Sequence, residues 1–365
     1  MTGNSRRSLL TGILGSSLMA QSGATPEVRL PRKIRLALAG YDGHPEEILR
    51  VLPQLPDVEL VAVADEGSDP AAQAGVLKNR YAAQARRYPA LTQLLSAESL
   101  DVVAVCNNNG RRAAAILACA GRKLNVIAEK PLALGRADLD AVYGAVKRSG
   151  IHLGMLLPLR FEPPYLAMHR IVQSGAVGEV LQLDAQKSYQ LGERPAWQKH
   201  AATYGSTILW IAIHSIDLML WVSGRRFTEA AALQSHVGFP EAGDMQNVTG
   251  TLFRLDNGGS ATLRMDYLRP AAASGHGDDR LRVSGSRGIV EYQESTGVTL
   301  ATQTSAPEVV RDLPAAQSVF VDYLRSVYQE IPAALSWDEI VRANEATLAA
   351  HLAAGQHRFV AIPGR

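Results

Sequence analysis

From residue 33 onward, short apolar runs alternate with segments that carry helix start and stop signals. KIRLALAG (33–40) reads as a strand ending in glycine, and PEEILRVLPQL (45–55) as a helix opened by proline. VELVAVAD (58–65) reads as a second strand, ending in an acid. LDVVAVCN (100–107) and LNVIAEKP (124–131) are further strands. RAAAILACAG (112–121) and ADLDAVYGAVKRSG (137–150) are helices, and IHLGMLLPL (151–159) closes the series. Strands that are apolar on both faces belong to parallel sheets covered on both sides. The pattern therefore predicts a doubly wound parallel sheet over 33–157.

The second half changes period. EVLQLDAQKSYQL (179–191), NVTGTLFRLD (247–256), GSATLRMDYL (259–268), DRLRVSGS (279–286) and GIVEYQES (288–295) are strand-like and follow in succession. Asp256-Asn257-Gly258 is a tight-turn signal between two of them. This predicts an α+β domain over 158–335 with a large, mostly antiparallel open sheet. SWDEIVRANEATLAAHLAAG (336–355) reads as a helix with a serine N-cap and a glycine stop, opening a C-terminal segment 336–365.

Composition narrows the function classes. Apolar residues make up 47% of the 365 and charged residues 20%, enough for two cored domains. A net charge of +2 gives no basic footprint for nucleic acid or an anionic membrane. Two cysteines, Cys106 and Cys119, exclude a disulfide framework and a four-cysteine zinc site. SGHGDDR (274–280) lacks a second histidine at supporting spacing and reads as a solvated loop, so no metal is expected. At the N-terminus Arg6 and Arg7 precede a moderately apolar run, Leu9–Ala20, followed by small residues. Residues 1–24 read as a twin-arginine-like signal, which predicts a periplasmic or otherwise exported protein without a membrane span in its mature form. The alternative is a polar tail with a chance arginine pair.

A glycine after the first strand lets a backbone approach a pyrophosphate, with a helix N-terminus behind it. The chain reads Gly40-Tyr41-Asp42-Gly43-His44-Pro45 where G-x-G-x-x-G would stand, so one glycine of three is in register. Gly43 can supply the turn in shifted form, while Asp42 puts a carboxylate near any phosphate. Asp65 ends the second strand 25 positions after Gly40, close to the about 20 expected of a ribose-binding acid. A carboxylate there accepts from ribose hydroxyls and repels a 2′-phosphate, which favours NAD over NADP. The bland alternative is an acidic strand end in an ordinary loop.

AEKPLA at a strand end, LRFEPPYLAMHRIVQSGAVGEV (159–180), ERPAW (193–197) and GSTILWIAIHSIDLMLWVSG (205–224) together resemble the glucose-fructose oxidoreductase / inositol dehydrogenase / rhizopine-catabolism (Gfo/Idh/MocA) family. The resemblance runs from about residue 33 to the C-terminus. It implies a Rossmann-type NAD-binding domain, a sugar or polyol substrate and a homo-oligomer. It places Lys130 and His214 in acid–base roles at the substrate hydroxyl. Glu129 is a structural or orienting partner of Lys130 beside the cofactor. Where the family commonly has Thr-Pro and then a histidine, this chain has Asn107-Asn108-Asn109-Gly110-Arg111, and Asn107 and Asn109 can still line the nicotinamide ribose. Arg160, Arg194, Trp197, Trp210 and Asp217 are the candidate substrate contacts; Arg160 can equally reach the cofactor, and Asp217 is read first as an orienting or capping group. The family often has an aspartate four residues before the histidine, where this chain has Trp210, which can stack on a sugar but accepts no hydrogen bond. Three functions stay open: an NAD-dependent oxidoreductase, an NAD-retaining glycoside hydrolase or lyase working by transient oxidation and elimination, and a non-catalytic nucleotide- or sugar-binding protein.

Overall fold

A computed structural model describes residues 27–364; the predicted export signal lies outside them. The first half builds β1 (Ile34–Ala39), α1 (Glu46–Leu49), β2 (Val58–Ala64), α2 (Pro70–Val76), α3 (Arg80–Gln84) and β3 (Arg86–Tyr88). It continues with α4 (Leu91–Ala97), β4 (Val102–Val105), α5 (Asn109–Gly121), β5 (Asn125–Ala128), α6 (Arg136–Ser149) and β6 (Leu153–Met155). The six strands are parallel in the order β3-β2-β1-β4-β5-β6. The direction of winding reverses between β1 and β4, which opens a crevice at their carboxyl ends. Ala39 pairs with Val105 and Val105 with Ala128, so three loops leave the sheet side by side at that edge. They begin at Gly40, Cys106 and Glu129.

The helix expected over 45–55 stops at Leu49 and gives way to a tighter turn at Leu52–Gln54. Pro53 lacks the N–H that an α-helix needs there. Sequence patterning missed α2 to α4 and β3 altogether, because these elements are short and largely polar on their outer faces.

The second half builds α7 (Pro163–Gln173), β7 (Val180–Tyr189), α8 (Ala201–Tyr204), a π-helical turn at Ile208–Ala212, α9 (Ile213–Ser223) and β8 (Phe227–Ser235). Then follow β9 (Val248–Leu255), β10 (Ser260–Asp266), β11 (Gly277–Gly285), β12 (Gly288–Gln293), β13 (Gly297–Thr302) and β14 (Ser305–Val309). The chain ends with α10 (Val319–Tyr328), α11 (Trp337–Gln356) and β15 (Val360–Ala361). Nine strands form one sheet, β14-β13-β12-β11-β7-β10-β9-β8-β15, antiparallel except for β7 beside β10. The β9–β10 hairpin turns at the predicted Asp256–Gly258. The segment 274–280 is not a solvated loop throughout: β11 starts at Gly277, and Asp279 pairs with the buried Lys187 of β7.

Two apolar cores result. The first sits under the parallel sheet and includes Leu36, Val63, Val103 and Ile127; the second lies between the large sheet and α9, with Met219, Phe253 and Leu263. α11 serves both, giving Ile340 and Ala343 to the first and Ala346 and Ala350 to the second. Its N-terminus is fixed by a reciprocal capping box between Ser336 and Glu339. Its end differs from expectation. Gly355 stays helical, and the chain reverses at His357 in the left-handed region (φ 51°), which leads it to β15 paired on β8. The stretch Ala201–Ser223 is long and apolar enough to cross a membrane, yet 83% of its most apolar window is buried inside the fold.

Candidate active site

The glycine loop is shaped by close approach. Gly40 has φ 84°, and a Cβ there would lie 2.5 Å from the Asn107 Cα and the Cys106 carbonyl. Gly43 has φ 78°, and its Cβ would meet the Glu129 side chain at 2.6 Å. Both positions demand glycine for backbone and space alike. Gly40→Ala is expected to destabilise the fold by more than about 1 kcal/mol, since the native φ suits alanine poorly. Thermal melts would check this, and a wild-type midpoint would refute the loop geometry.

The other loop residues close on themselves. The Tyr41 N–H donates to Ser68 Oγ at 2.8 Å, and its buried ring raises its hydroxyl pKa, with Asp65 adding to the effect. Asp42 does not face outward. Its Oδ1 accepts the Trp197 indole N–H at 3.0 Å and the Asp69 N–H at 3.3 Å, and burial raises its pKa. Trp197 thereby ties the ERPAW loop of the second domain to the glycine loop. Arg194 donates to the carbonyls of Leu191 and Gln190 and packs over Tyr267. Arg194 and Trp197, with Asp42 and Asp69, line a cavity of about 800 Å³ beside α1 and α2. Asp65 stands at the end of β2, one oxygen accepting the Ser68 N–H at 3.2 Å.

Glu-Lys-Pro leaves β5 at the same edge but is not an exposed loop. Glu129 and Lys130 are buried, at 0% and 1% exposure, and the Lys130–Pro131 peptide is cis. Glu129 Oε1 accepts both the backbone N–H and the ring Nδ1 of His44, each at 2.6 Å, and Oε2 accepts the Lys130 N–H. Burial opposes its charge, but His44, Lys130 and Arg112 hold the carboxyl down at about 2. Lys130 Nζ donates to the Trp210 carbonyl at 2.7 Å, within the π-helical turn, and lies 3.1 Å from the centre of the Trp210 ring. A wider turn of this kind recurs at functional sites because it perturbs the helical ladder. Burial drives the Lys130 pKa down to about 7 against the pull of Glu129.

His214 opens the second turn of that helix, and its pKa is pushed well below normal by burial and then by Lys130, Lys187 and His44. The His44 ring meets His214 edge-on with centroids 5.7 Å apart and stacks near Trp210 at 6.2 Å. Trp197 packs on Trp210 edge-to-face at 5.4 Å. Lys130, His214, Trp210, Trp197, Glu129 and Asp42 thus form, through His44, one contiguous cluster where the two domains meet.

Three candidates are occupied elsewhere. Arg160 was expected on substrate or cofactor, and Asp217 as an orienting group or a substrate contact; they bond each other in two places, at 1% and 3% side-chain exposure, so Asp217 orients Arg160. Arg160 also reaches Glu339 of α11. No face of either is left for a ligand, so they are a structural tie between α9 and α11. Asn109 donates its amide N–H to the Tyr204 carbonyl, and its oxygen accepts from Arg112. Three positions close to Lys130 and His214 escaped the sequence reading: His44, Arg112 and Lys187. Arg112 is fully buried and collects the carbonyls of Asn107, Lys130 and Pro131, locking the two loops together. Lys187 was legible in principle, since Leu183, Ala185 and Lys187 fall on the inward register of β7.

The crevice fits a dinucleotide at its nicotinamide end. Both polar atoms of the Asn107 side chain, Asn108 Oδ1, Asp42 Oδ2 and His214 Nδ1 are buried without a partner in the protein. Buried polar atoms of this number around one cleft call for a polar ligand.

Comparison with known proteins agrees. Residues 34–155 match the oxidoreductase family with NAD-binding Rossmann fold, and 165–291 match the Gfo/Idh/MocA C-terminal domain. The chain belongs to the Gfo/Idh/MocA oxidoreductase family. An uncharacterized oxidoreductase of Bacillus subtilis is 26% identical over 65% of this chain and 67% of its own length. The myo-inositol 2-dehydrogenase of Thermotoga maritima is 26% identical over 54% of this chain and 58% of its own. A solved structure from Thermotoga maritima superposes with a TM-score of 0.85 at 27% identity, covering 90% of this chain and all of that one.

Proposed function

We propose that the protein oxidises a hydroxyl of a sugar, polyol or sugar derivative, with Lys130 and His214 handling the hydroxyl proton. The observation that carries this reading is that Lys130 of the first domain and His214 of the second are buried in one cluster at the carboxyl edge of the parallel sheet. Lys130 is held by Trp210, His44 packs on both Trp210 and His214, and Lys130 is close enough to lower the His214 pKa. NAD, bound there, supplies the hydride acceptor. Gly40, Tyr41, Asp42 and Gly43 would bound its pyrophosphate, and Asp65 would take its adenosine ribose. Asn107 and Glu129 would border its nicotinamide half. The Asp65 carboxylate supports NAD over NADP. An amine with a pKa near 7 is matched to proton transfer at neutral pH. Trp210 and Trp197 offer ring faces suited to the C–H face of a sugar. The myo-inositol dehydrogenase among the relatives supports a polyol or sugar.

The test is twofold. Protein lacking residues 1–24 is denatured, and the supernatant is analysed for NAD(H) and NADP(H) by mass spectrometry, with titration of any apo fraction. Myo-inositol, glucose and methyl glucosides are then screened for NADH formation. Bound or binding NAD with NADH formation supports the reading. Aryl glycoside cleavage without net NADH would move it to the hydrolase or lyase alternative. Failure to bind either nucleotide at millimolar concentration would overturn it and leave a binding protein on this fold.

Trp210 stands where a carboxylate would lift the amine's pKa. Trp210→Asp is expected to move the rise of kcat/KM with pH upward from about 7, because a nearby anion favours the ammonium. A pH–rate profile checks it, and an unmoved midpoint would show that Lys130 is not the titrating base.

Two further expectations belong to this proposal. Export through the twin-arginine-like signal would let a folded protein leave with NAD already bound. Assembly of copies through the large sheet is supported by Leu233 and Leu252, 69% and 40% exposed on its strands.

A further inference from the structure

Oxidising an alcohol releases a hydride to the cofactor and one proton that must reach water. The two groups proposed to receive that proton are sealed. Lys130 is 1% exposed and His214 is 6% exposed. Trp210 covers the lysine, and its ring accepts no proton. The His44 side chain, by contrast, retains 31% exposure while its ring touches both His214 and Trp210.

The tautomer of His44 follows from its partner. Glu129 is held ionised, so its oxygens only accept. Nδ1 therefore carries the hydrogen of the 2.6 Å bond, and Nε2 is the atom free to take up or release a proton. The backbone N–H of His44 donates to the same oxygen, which fixes the residue at two points. The charged and titratable groups facing the ring are Glu129 and Glu46 from the first domain and His214 from the second, with Lys130 behind them. A carboxylate behind an imidazole fixes its tautomer and orientation.

We propose that His44, oriented by Glu129, is a positioning and relay residue. It carries the hydroxyl proton from the Lys130–His214 pair to solvent. This rests on the oxidoreductase reading of the same cleft. In balance, the substrate loses a hydride to NAD and a proton to Lys130 or His214. The proton then leaves through His44 Nε2 to water, and the relay returns to its starting state.

The experiment compares wild type, His44→Ala and Glu129→Gln on whichever of myo-inositol, glucose or the methyl glucosides is turned over. Measurements are made in dilute buffer, with and without added imidazole. His44→Ala is expected to lower kcat about 100-fold, with NAD affinity kept, and imidazole is expected to restore it at least 10-fold. Glu129→Gln, which keeps shape and removes charge, is expected to fall in the same direction by a smaller factor. Circular dichroism of each variant confirms folding. Wild-type kcat in His44→Ala would overturn the relay. So would loss of NAD binding in that variant, or a loss of kcat that imidazole does not restore, since either marks a structural or cofactor contact. A wild-type protein that binds no NAD, or oxidises none of the panel, would remove the underlying reading and the relay with it.

Discussion

Lys130→Met is expected to abolish turnover and at the same time to stabilise the protein. Loss of a proton-transfer group costs about 100- to 10,000-fold in rate. The gain in stability comes from the same burial that tunes the amine. Its pKa falls from the ordinary lysine value to about 7 in the folded chain. Between pH 7 and about 10.5 the unfolded chain therefore binds a proton that the folded chain does not, so stability rises with pH across that window. At neutral pH the buried lysine costs on the order of 4 kcal/mol, the free energy by which the interior disfavours the ammonium relative to water. Methionine removes that cost, although it forgoes the bond to the Trp210 carbonyl. The melting temperature of Lys130→Met should exceed wild type by several degrees at pH 7 and converge with it toward pH 10. A variant that is inactive and less stable at every pH would mean that Lys130 is a structural cation rather than a tuned base.

Stability given up at a reactive group explains why the site was partly legible in the chain. An E-K-P tripeptide closing an apolar strand is a conflict between local burial and charge, and such conflicts mark functional positions. The parallel strands were legible because strands buried on both faces are apolar at nearly every position. The elements between β2 and β4 were not, because three short helices and a three-residue strand carry too few apolar positions to show a period. His44 was hidden by the motif that contains it. A count of glycines weighs Gly40, Asp42 and Pro45 and passes over the imidazole between them, whose partner Glu129 lies 85 positions away. Arg160 and Asp217 show the opposite failure. Their types suited a sugar site, but pairing across 57 positions is settled by packing and left no signal in either local segment. Trp210 was visible as a departure, and only the π-helical turn shows what it does. Its ring and its carbonyl together hold the Lys130 ammonium.

Removing one side of the Arg160 tie should separate structure from chemistry. Asp217→Ala is expected to destabilise the fold by ~3–5 kcal/mol, because it leaves a guanidinium buried with half its partners gone. Burial alone would lower the Arg160 pKa, and the Asp217 and Glu339 carboxylates more than reverse this, so the charge cannot be shed. Glu339 remains in the variant, yet it reaches only one guanidinium nitrogen, at 3.0 Å, and is also committed to the Ser336 cap. The loss is thus shared by two elements: α9, which carries His214, and the start of α11, which joins both cores. Denaturant titration should show a lower midpoint with an unchanged slope, the signature of lost stability without a changed denatured state. Replacing both partners, Arg160→Met with Asp217→Leu, should recover much of the loss, since an apolar pair of similar volume needs no desolvation. If Asp217 instead bound substrate, the single variant would keep its stability and raise KM, and the double variant would recover nothing.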